Sequence, residues 1–401
     1  MLATGVMSVF GFIFWIICSR LYTSSEIGLA TSLISTSSIL IALSLFGLNN
    51  TLIRFLSNHS DRHGLVSTVL IIASFGGIST SALFLIWAYV THNPIIQLGA
   101  PSIIAPVFIT FIFLQATGII FDSVFIAHRS AKYILFKNSL FSVTKLALPF
   151  LFFSLGAIGI IYSITVATLL AWMAGLVWLT TLTNFKFKFP DSRVMAGMRR
   201  FATGNYLGNI FGMLPTSLLP LIIISRLGPQ EAAYFYMPMM IITLINAVPS
   251  ANAQSLFAEA ANDEENLLIH LRKAFRHLFL LLIPIVVAVE ILGYSILSFF
   301  GHEYAEIGTQ ALQILAVASI VGSLNYFGDT ILNITKRSGL YITMNAFNAL
   351  LIIILSYYSA PYGLTAIAMA WFVAQITTMM IYLVINRRLV TEFLKSSTKT
   401  L

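Results

Sequence analysis

Along this chain, runs of apolar residues alternate with short polar breaks from one end to the other. A helix needs about 20 residues to cross the ~30 Å hydrocarbon layer, and windows of that order recur at positions 3–18, 27–46, 65–90, 103–126, 140–155, 160–182, 201–224, 232–257, 278–300, 311–332, 341–358 and 364–385. The fifth and sixth windows are separated only by Gly156, Ala157, Ile158 and Gly159. The pattern predicts about twelve transmembrane helices and leaves no room for a soluble catalytic domain. In lipid every backbone polar group must be satisfied within its own segment, so the expected fold class is an all-α polytopic membrane protein.

Composition agrees. Of 401 residues, 58% are hydrophobic and only 9% charged, with a mean hydropathy of +0.91, too little charge to clothe a soluble surface of this size. The single cysteine, Cys18, excludes an intrachain disulfide and any multi-thiolate metal centre. The seven histidines fall in predicted loops or at helix ends without an HExxH pair, so no metal and no cofactor is expected. Nothing in the pattern points to nucleic acid.

The net charge of +8 matters through its placement. Among the 22 Lys and Arg, only Arg20 and Arg226 fall in loops after odd-numbered windows, and Lys145 falls inside the fifth; the rest follow even-numbered windows or lie in the C-terminal tail. Basic residues accumulate on the cytoplasmic side, so both termini are expected there, in a multi-pass protein. The first window has neither a basic lead-in nor a small-residue cleavage site and reads as a retained helix.

An internal duplication is visible. Ser19-Arg20-Leu21 with Glu26 returns as Ser225-Arg226-Leu227 with Glu231, and Asp122, Arg129, Ser130 and Tyr133 return as Asp329, Arg337, Ser338 and Tyr341, at offsets of 206 to 208. Two copies with an even number of spans enter the membrane from the same side, which gives two parallel-repeat six-helix lobes, 1–184 and 201–401. Between them, 185–200 is a basic cytoplasmic linker interleaved with Phe185, Phe187 and Phe189, suited to the anionic inner leaflet.

Charges within or beside the spans are the candidate functional groups, because they are costly there. Arg20 and Arg226, at matching positions, either face a cleft and attract an anionic substrate such as a pyrophosphate, or tie their hairpins to Glu26 and Glu231. Arg54 and Glu259, also matched, are candidates for an inner gate, against the reading of two solvated juxtamembrane charges. Glu290, near the middle of the ninth window, is a candidate for ion coupling, the alternative being a paired or neutral acid. Lys145 reads as a snorkelling lysine, and Asp122 and Asp329 as structural. Pro215, Pro220, Pro238 and Pro249 bend the seventh and eighth spans, and Asn205, Asn209, Asn246, Asn252 and Gln254 on them either bind substrate or join helices.

These residues resemble a family. Arg20-Leu21, Glu26 and Gly28-Leu29, then Gly47-Leu48 and Arg54-Phe55-Leu56, with Arg226-Leu227-Gly228-Pro229 and Glu231 in the second half, are similar to the polysaccharide-exporter branch (Wzx-type O-antigen flippases) of the multidrug/oligosaccharidyl-lipid/polysaccharide flippase superfamily. The resemblance implies a MATE-like fold and a flippase that moves undecaprenyl-pyrophosphate-linked oligosaccharide repeat units across a bacterial inner membrane by alternating access. It implies polyprenyl-linked oligosaccharide and membrane lipids as partners, and polysaccharide polymerase or assembly proteins beyond them. The alternatives are a small-molecule or drug/cation antiporter of the same superfamily, and an integral-membrane polysaccharide polymerase or ligase. The antiporter calls for an acidic cation site deep in the first lobe, whereas Glu26, Asp61 and Asp122 read as helix-end or loop acids. The polymerase calls for a catalytic cluster on a large outer loop, and the longest outer connection, near 91–101, is short.

Overall fold

The computed structural model describes residues 2–189, 206–260 and 267–387. These form thirteen α-helices with no strand among the described residues: α1 (Leu2–Leu21), α2 (Ser24–Leu45), α3 (Leu48–Phe55), α4 (Arg62–Val90), α5 (Pro101–Ala127), α6 (Ala131–Phe152), α7 (Ala157–Thr183), α8 (Tyr206–Arg226), α9 (Pro229–Ala260), α10 (Leu267–Ser298), α11 (His302–Ile334), α12 (Ser338–Ser359) and α13 (Leu364–Ile385). Eleven of them, α2 and α4 to α13, are long and apolar enough to cross a membrane, and α1 contributes a shorter apolar stretch at Val9–Leu21. The protein is a multi-pass, all-helical membrane protein, as its hydropathy pattern predicts.

Two boundaries differ from that pattern. The second window ends at Phe46 as expected, but Arg54, expected at the inner end of that helix, belongs to the separate helix α3, because Phe46 (φ 48°) and Gly47 (φ 71°) are consecutive left-handed residues that end α2. The fifth span starts at Ala131 rather than at 140, so Lys132 and Lys137 are helical residues and not loop residues. Charge lowers the hydropathy of a window without breaking a helix, and Lys is a good helix former.

Packing divides the chain into two compact units, Met1–Ala233 and Tyr234–Leu401. In the first, Leu52, Leu65, Phe121 and Phe125 are fully or almost fully buried in one core that α3, α4, α5 and α7 build together. Helix α8 belongs to this unit and runs antiparallel to α2. Tyr206 at its start donates to the carbonyls of Ala42 and Leu43 at 3.1 Å, Ser32 donates to the carbonyl of Pro220 at 3.4 Å, and Pro229, just past its end, lies against Gly28. In the second unit, Leu332, Met344 and Tyr382 bring α11, α12 and α13 together.

The repeat recurs in local geometry. Helices α6 and α12 begin at Ala131 and Ser338, and α7 and α13 at Ala157 and Leu364, each pair 207 positions apart. At that offset, left-handed Arg129 (φ 54°) answers Lys336 (φ 57°), and Gly156 (φ 61°) answers Gly363 (φ 92°).

Candidate functional site

The matched arginines close their helices in the same way. Arg20 and Arg226 are exposed in the last turns of α1 and α8, where a cation complements the helix C-terminus. Just before each, a serine back-bonds one turn earlier: Ser19 Oγ donates to the Ile16 carbonyl and Ser225 Oγ to the Ile222 carbonyl, both at 2.9 Å. Glu26 forms a capping box. Glu26 Oε2 accepts from the Thr23 amide at 2.8 Å and from the Thr23 hydroxyl at 2.9 Å, while the Glu26 amide donates back to Thr23 Oγ1. The Glu26 carboxylate therefore starts α2. Glu231 occupies the first turn of α9, half-buried.

Gly28, the next motif residue, allows a close approach. A Cβ at this position would lie 1.7 Å from the carbonyl oxygen of Pro229 and 3.2 Å from the Ala233 nitrogen, so only glycine lets α2 lie against this backbone.

Of the amides expected to line a path, Asn205 lies outside the described residues. Asn209 is exposed on α8, Asn246 and Asn252 are half-buried on α9, and Gln254 is exposed and donates to Ser250 Oγ at 3.3 Å. Pro215 and Pro220 lie inside α8, and Pro238 and Pro249 inside α9. Arg54 is exposed on α3, its guanidinium 5.5 Å from the Phe55 ring centre. Glu259 is exposed near the end of α9, 3.3 Å from His270 Nδ1. Glu290 sits within α10, where its carbonyl accepts from Gln313 at 2.9 Å and its buried Oε1 has no hydrogen-bond partner among the described residues. Lys145 is held by aromatic faces, its ammonium 4.9 Å from the Phe14 ring centre and 5.0 Å from that of Phe141.

A charge pair that the sequence reading did not assemble lies inside the first unit. Lys137 of α6 is buried, 2.6 Å from Asp122 of α5, and also donates to the Gly118 carbonyl at 3.1 Å. Trp172 of α7 donates to Thr117 Oγ1 at 2.8 Å beside it. The signal was present, because Lys137, Phe141 and Lys145 recur every fourth residue and so share one face of α6. Reading Lys137 as a loop residue concealed it. In the second unit Asp329 accepts from two neutral donors, the Asn345 amide at 2.8 Å and the Tyr382 hydroxyl.

Residues 1–257 match the profile of the family described as polysaccharide biosynthesis protein. The chain belongs to this family. Among solved structures, this polysaccharide biosynthesis protein is similar to the lipid II flippase MurJ in an inward closed conformation, with a TM-score of 0.79 and 16% identity over 98% of this chain and 88% of that one. It is also similar to a multidrug resistance MATE family transporter of the MOP superfamily in an inward-facing conformation, with a TM-score of 0.71 and 14% identity over 98% and 96% of the two chains. A MOP superfamily transporter from Pyrococcus furiosus gives a TM-score of 0.65 at 14% identity, over 98% and 93%. At this identity the likeness establishes the MATE-like fold. No curated protein sequence matches the chain.

Proposed function

We propose that this protein is a flippase that carries undecaprenyl-pyrophosphate-linked oligosaccharide repeat units, of O-antigen or a similar surface polysaccharide such as that of lipopolysaccharide, across a bacterial inner membrane by alternating access. Membership of the polysaccharide biosynthesis protein family carries this reading. The fold shared with a lipid II flippase supports it, since that fold accommodates a lipid-linked cargo. With both termini cytoplasmic, Arg20 and Arg226 are the outer-side cations, and charge-assisted hydrogen bonds from guanidinium to pyrophosphate give them a role as anion contacts. Asn209, Asn246, Asn252 and Gln254 supply hydrogen bonds to sugar hydroxyls, and Glu290 is the candidate for coupling to an ion.

The antiporter reading is weakened by a specific contact. It calls for an acid in the first lobe that is open to a cation, whereas Asp122 is paired with Lys137 at 2.6 Å.

The test is leaflet accessibility in sealed proteoliposomes loaded with undecaprenyl-pyrophosphate oligosaccharide, read by a membrane-impermeant glycan probe. The protein is expected to accelerate exposure of the glycan, and Arg20→Glu or Arg226→Glu to slow it by about tenfold, the loss of roughly 1.4 kcal/mol in a charge-assisted contact. No acceleration with the cognate glycan under an imposed ion gradient refutes the flippase reading. Acceleration that survives both reversals removes the arginines from the substrate path.

A further inference from the structure

The Asp122–Lys137 pair borders a partly open cavity of about 240 Å³ lined by residues of α1, α5, α6 and α7, all within the first unit. Gln115, Asn138, Thr168 and Trp172 also line it. The volume would hold about eight waters at roughly 30 Å³ each, or one sugar ring in their place. The carboxamides of Gln115 and Asn138 make no hydrogen bond to any described residue. Both amides are half-buried, and a group that fills the cavity can donate to and accept from them.

The repeat explains the state of Asn138. At the 207 offset Asn138 corresponds to Asn345, whose amide bonds Asp329 in the second unit. In the first unit the preceding residue, Lys137, takes the carboxylate instead and leaves Asn138 facing the cavity. Three further positions differ between the units. Gly118 and Thr168 correspond to Asn325 and Gln375, which bond each other at 2.7 Å, and Gly175 corresponds to Tyr382, whose hydroxyl reaches Asp329. The second unit thus carries two mutually bonded carboxamides where the first has Gly118 and Thr168, whereas Gly175 is covered by the Phe121 ring and Gln115 corresponds to Gly322.

We propose that this cavity is a binding site for an uncharged, hydroxyl- or amide-bearing group the size of one sugar ring, held by Gln115 and Asn138 with Trp172 beside them. The lining selects against net charge. Its cation and anion already neutralise each other at 2.6 Å, and an ionic ligand would have to break that pair or meet a like charge next to its counter-ion. A neutral polyol leaves the pair intact and offers donors and acceptors in equal supply, and an indole offers a flat apolar face to a sugar ring. Two sources carry this chemistry, the sugars of a glycan and the glycerol headgroup of a lipid. The assignment stands on the cavity and not on the flippase reading.

The experiment is saturation-transfer NMR on the full chain in nanodiscs, with free N-acetylglucosamine, galactose and glycerol as separate probes. At least one is expected to receive saturation, and the signal is expected to fall about fivefold, the loss of one hydrogen bond of roughly 1 kcal/mol, in Asn138→Leu and in Gln115→Leu. It is expected to hold in Asn50→Leu, a change at an exposed α3 position. Ala171→Phe, which fills the cavity while leaving both amides in place, is expected to abolish it, and the two Leu variants keep the test decisive if that protein does not fold. Nanodiscs of phosphatidylglycerol and of phosphatidylethanolamine separate the sources: a sugar signal suppressed only in phosphatidylglycerol assigns the site to a lipid glycerol, and an equal signal assigns it to a glycan. Absence of saturation by every probe in both lipids, a signal unchanged in the Leu variants, or displacement of the probe by millimolar inorganic phosphate or choline each overturns the proposal.

Discussion

Gly28→Ala isolates one packing contact that the fold cannot relax. The added Cβ would stand 1.7 Å from the Pro229 carbonyl oxygen, and ordinary contact begins near 3.4 Å, so about 1.7 Å of separation has to be made. The obstructing atom is backbone at the start of α9, and it cannot rotate away as a side chain would. Either α2 or the α8–α9 turn shifts, and the Ser32 hydroxyl bond to Pro220, already at 3.4 Å, lengthens beyond hydrogen-bond range. Overpacking of this kind costs about 1–3 kcal/mol, and rigid backbone on both sides places the cost at the upper end, about 3 kcal/mol. The propensity gain of alanine over glycine in a helix, about 1 kcal/mol, offsets only part of it. The expected net loss is about 2 kcal/mol, measured as a shift of the denaturant midpoint of the purified protein in mixed micelles. Gly11→Ala is the control, because a Cβ there meets nothing within 4 Å. A Gly28→Ala protein as stable as wild type, or more stable, refutes the close-approach argument.

Two further outcomes follow from the charged contacts. Asp122→Leu and Lys137→Met, each leaving one charge unpaired, are expected to cost about 3–5 kcal/mol, whereas the two together cost far less; a double variant as unstable as the sum of the singles refutes the pairing. Lys188, in the segment after α7, bonds Asp61 at 2.7 Å and its amide donates to Ser67 Oγ at 3.0 Å, pinning that segment to the start of α4. The Lys188 hydrogen bond holds the Asp61 carboxyl below its ordinary range, helped by the Gly64 amide. A carboxylate depressed in the folded state contributes above its ordinary pKa and loses that contribution as pH falls through the folded value. Amide exchange at Lys188 is therefore expected to quicken in Asp61→Asn at neutral pH, and a spin label at Lys186 to gain mobility in wild type only when the pH drops below the usual carboxylate range. Equal exchange in both proteins removes the latch.

The spans were legible in the sequence because the bilayer imposes a length and an apolarity that few side chains can disguise. The expected duplication rests on residue types that recur at one offset, as in Ser19-Arg20 and Ser225-Arg226. What hydropathy could not resolve lay at its margins. A two-residue left-handed break at Phe46 and Gly47 alters direction without altering polarity, so α3 was hidden. Lys137 lowers the local average and so moved the expected start of the fifth span nine residues too late, taking the buried ion pair out of view. The linker residues 190–200, and Asn205 beyond them, lie outside the described residues, and the reading of a basic tether there stands on sequence alone.

The two units settle the same packing problem with opposite volumes. Phe121 lies over Gly175, where a Cβ would be 3.1 Å from its ring, and at the equivalent positions Tyr382 lies over Gly328, with its ring 2.6 Å from where a Cβ would stand. If one ancestral six-helix segment gave rise to both, one copy has exchanged large for small at two sites, and no single substitution accomplishes that. A path through two aromatics is sterically closed, whereas a path through two glycines leaves a void, destabilising by about 24 cal/mol per Å³ yet survivable. A pairwise exchange of this kind keeps the space filled while changing which helix supplies the ring, α5 in the first unit and α13 in the second, and it brings a hydroxyl to the second alone.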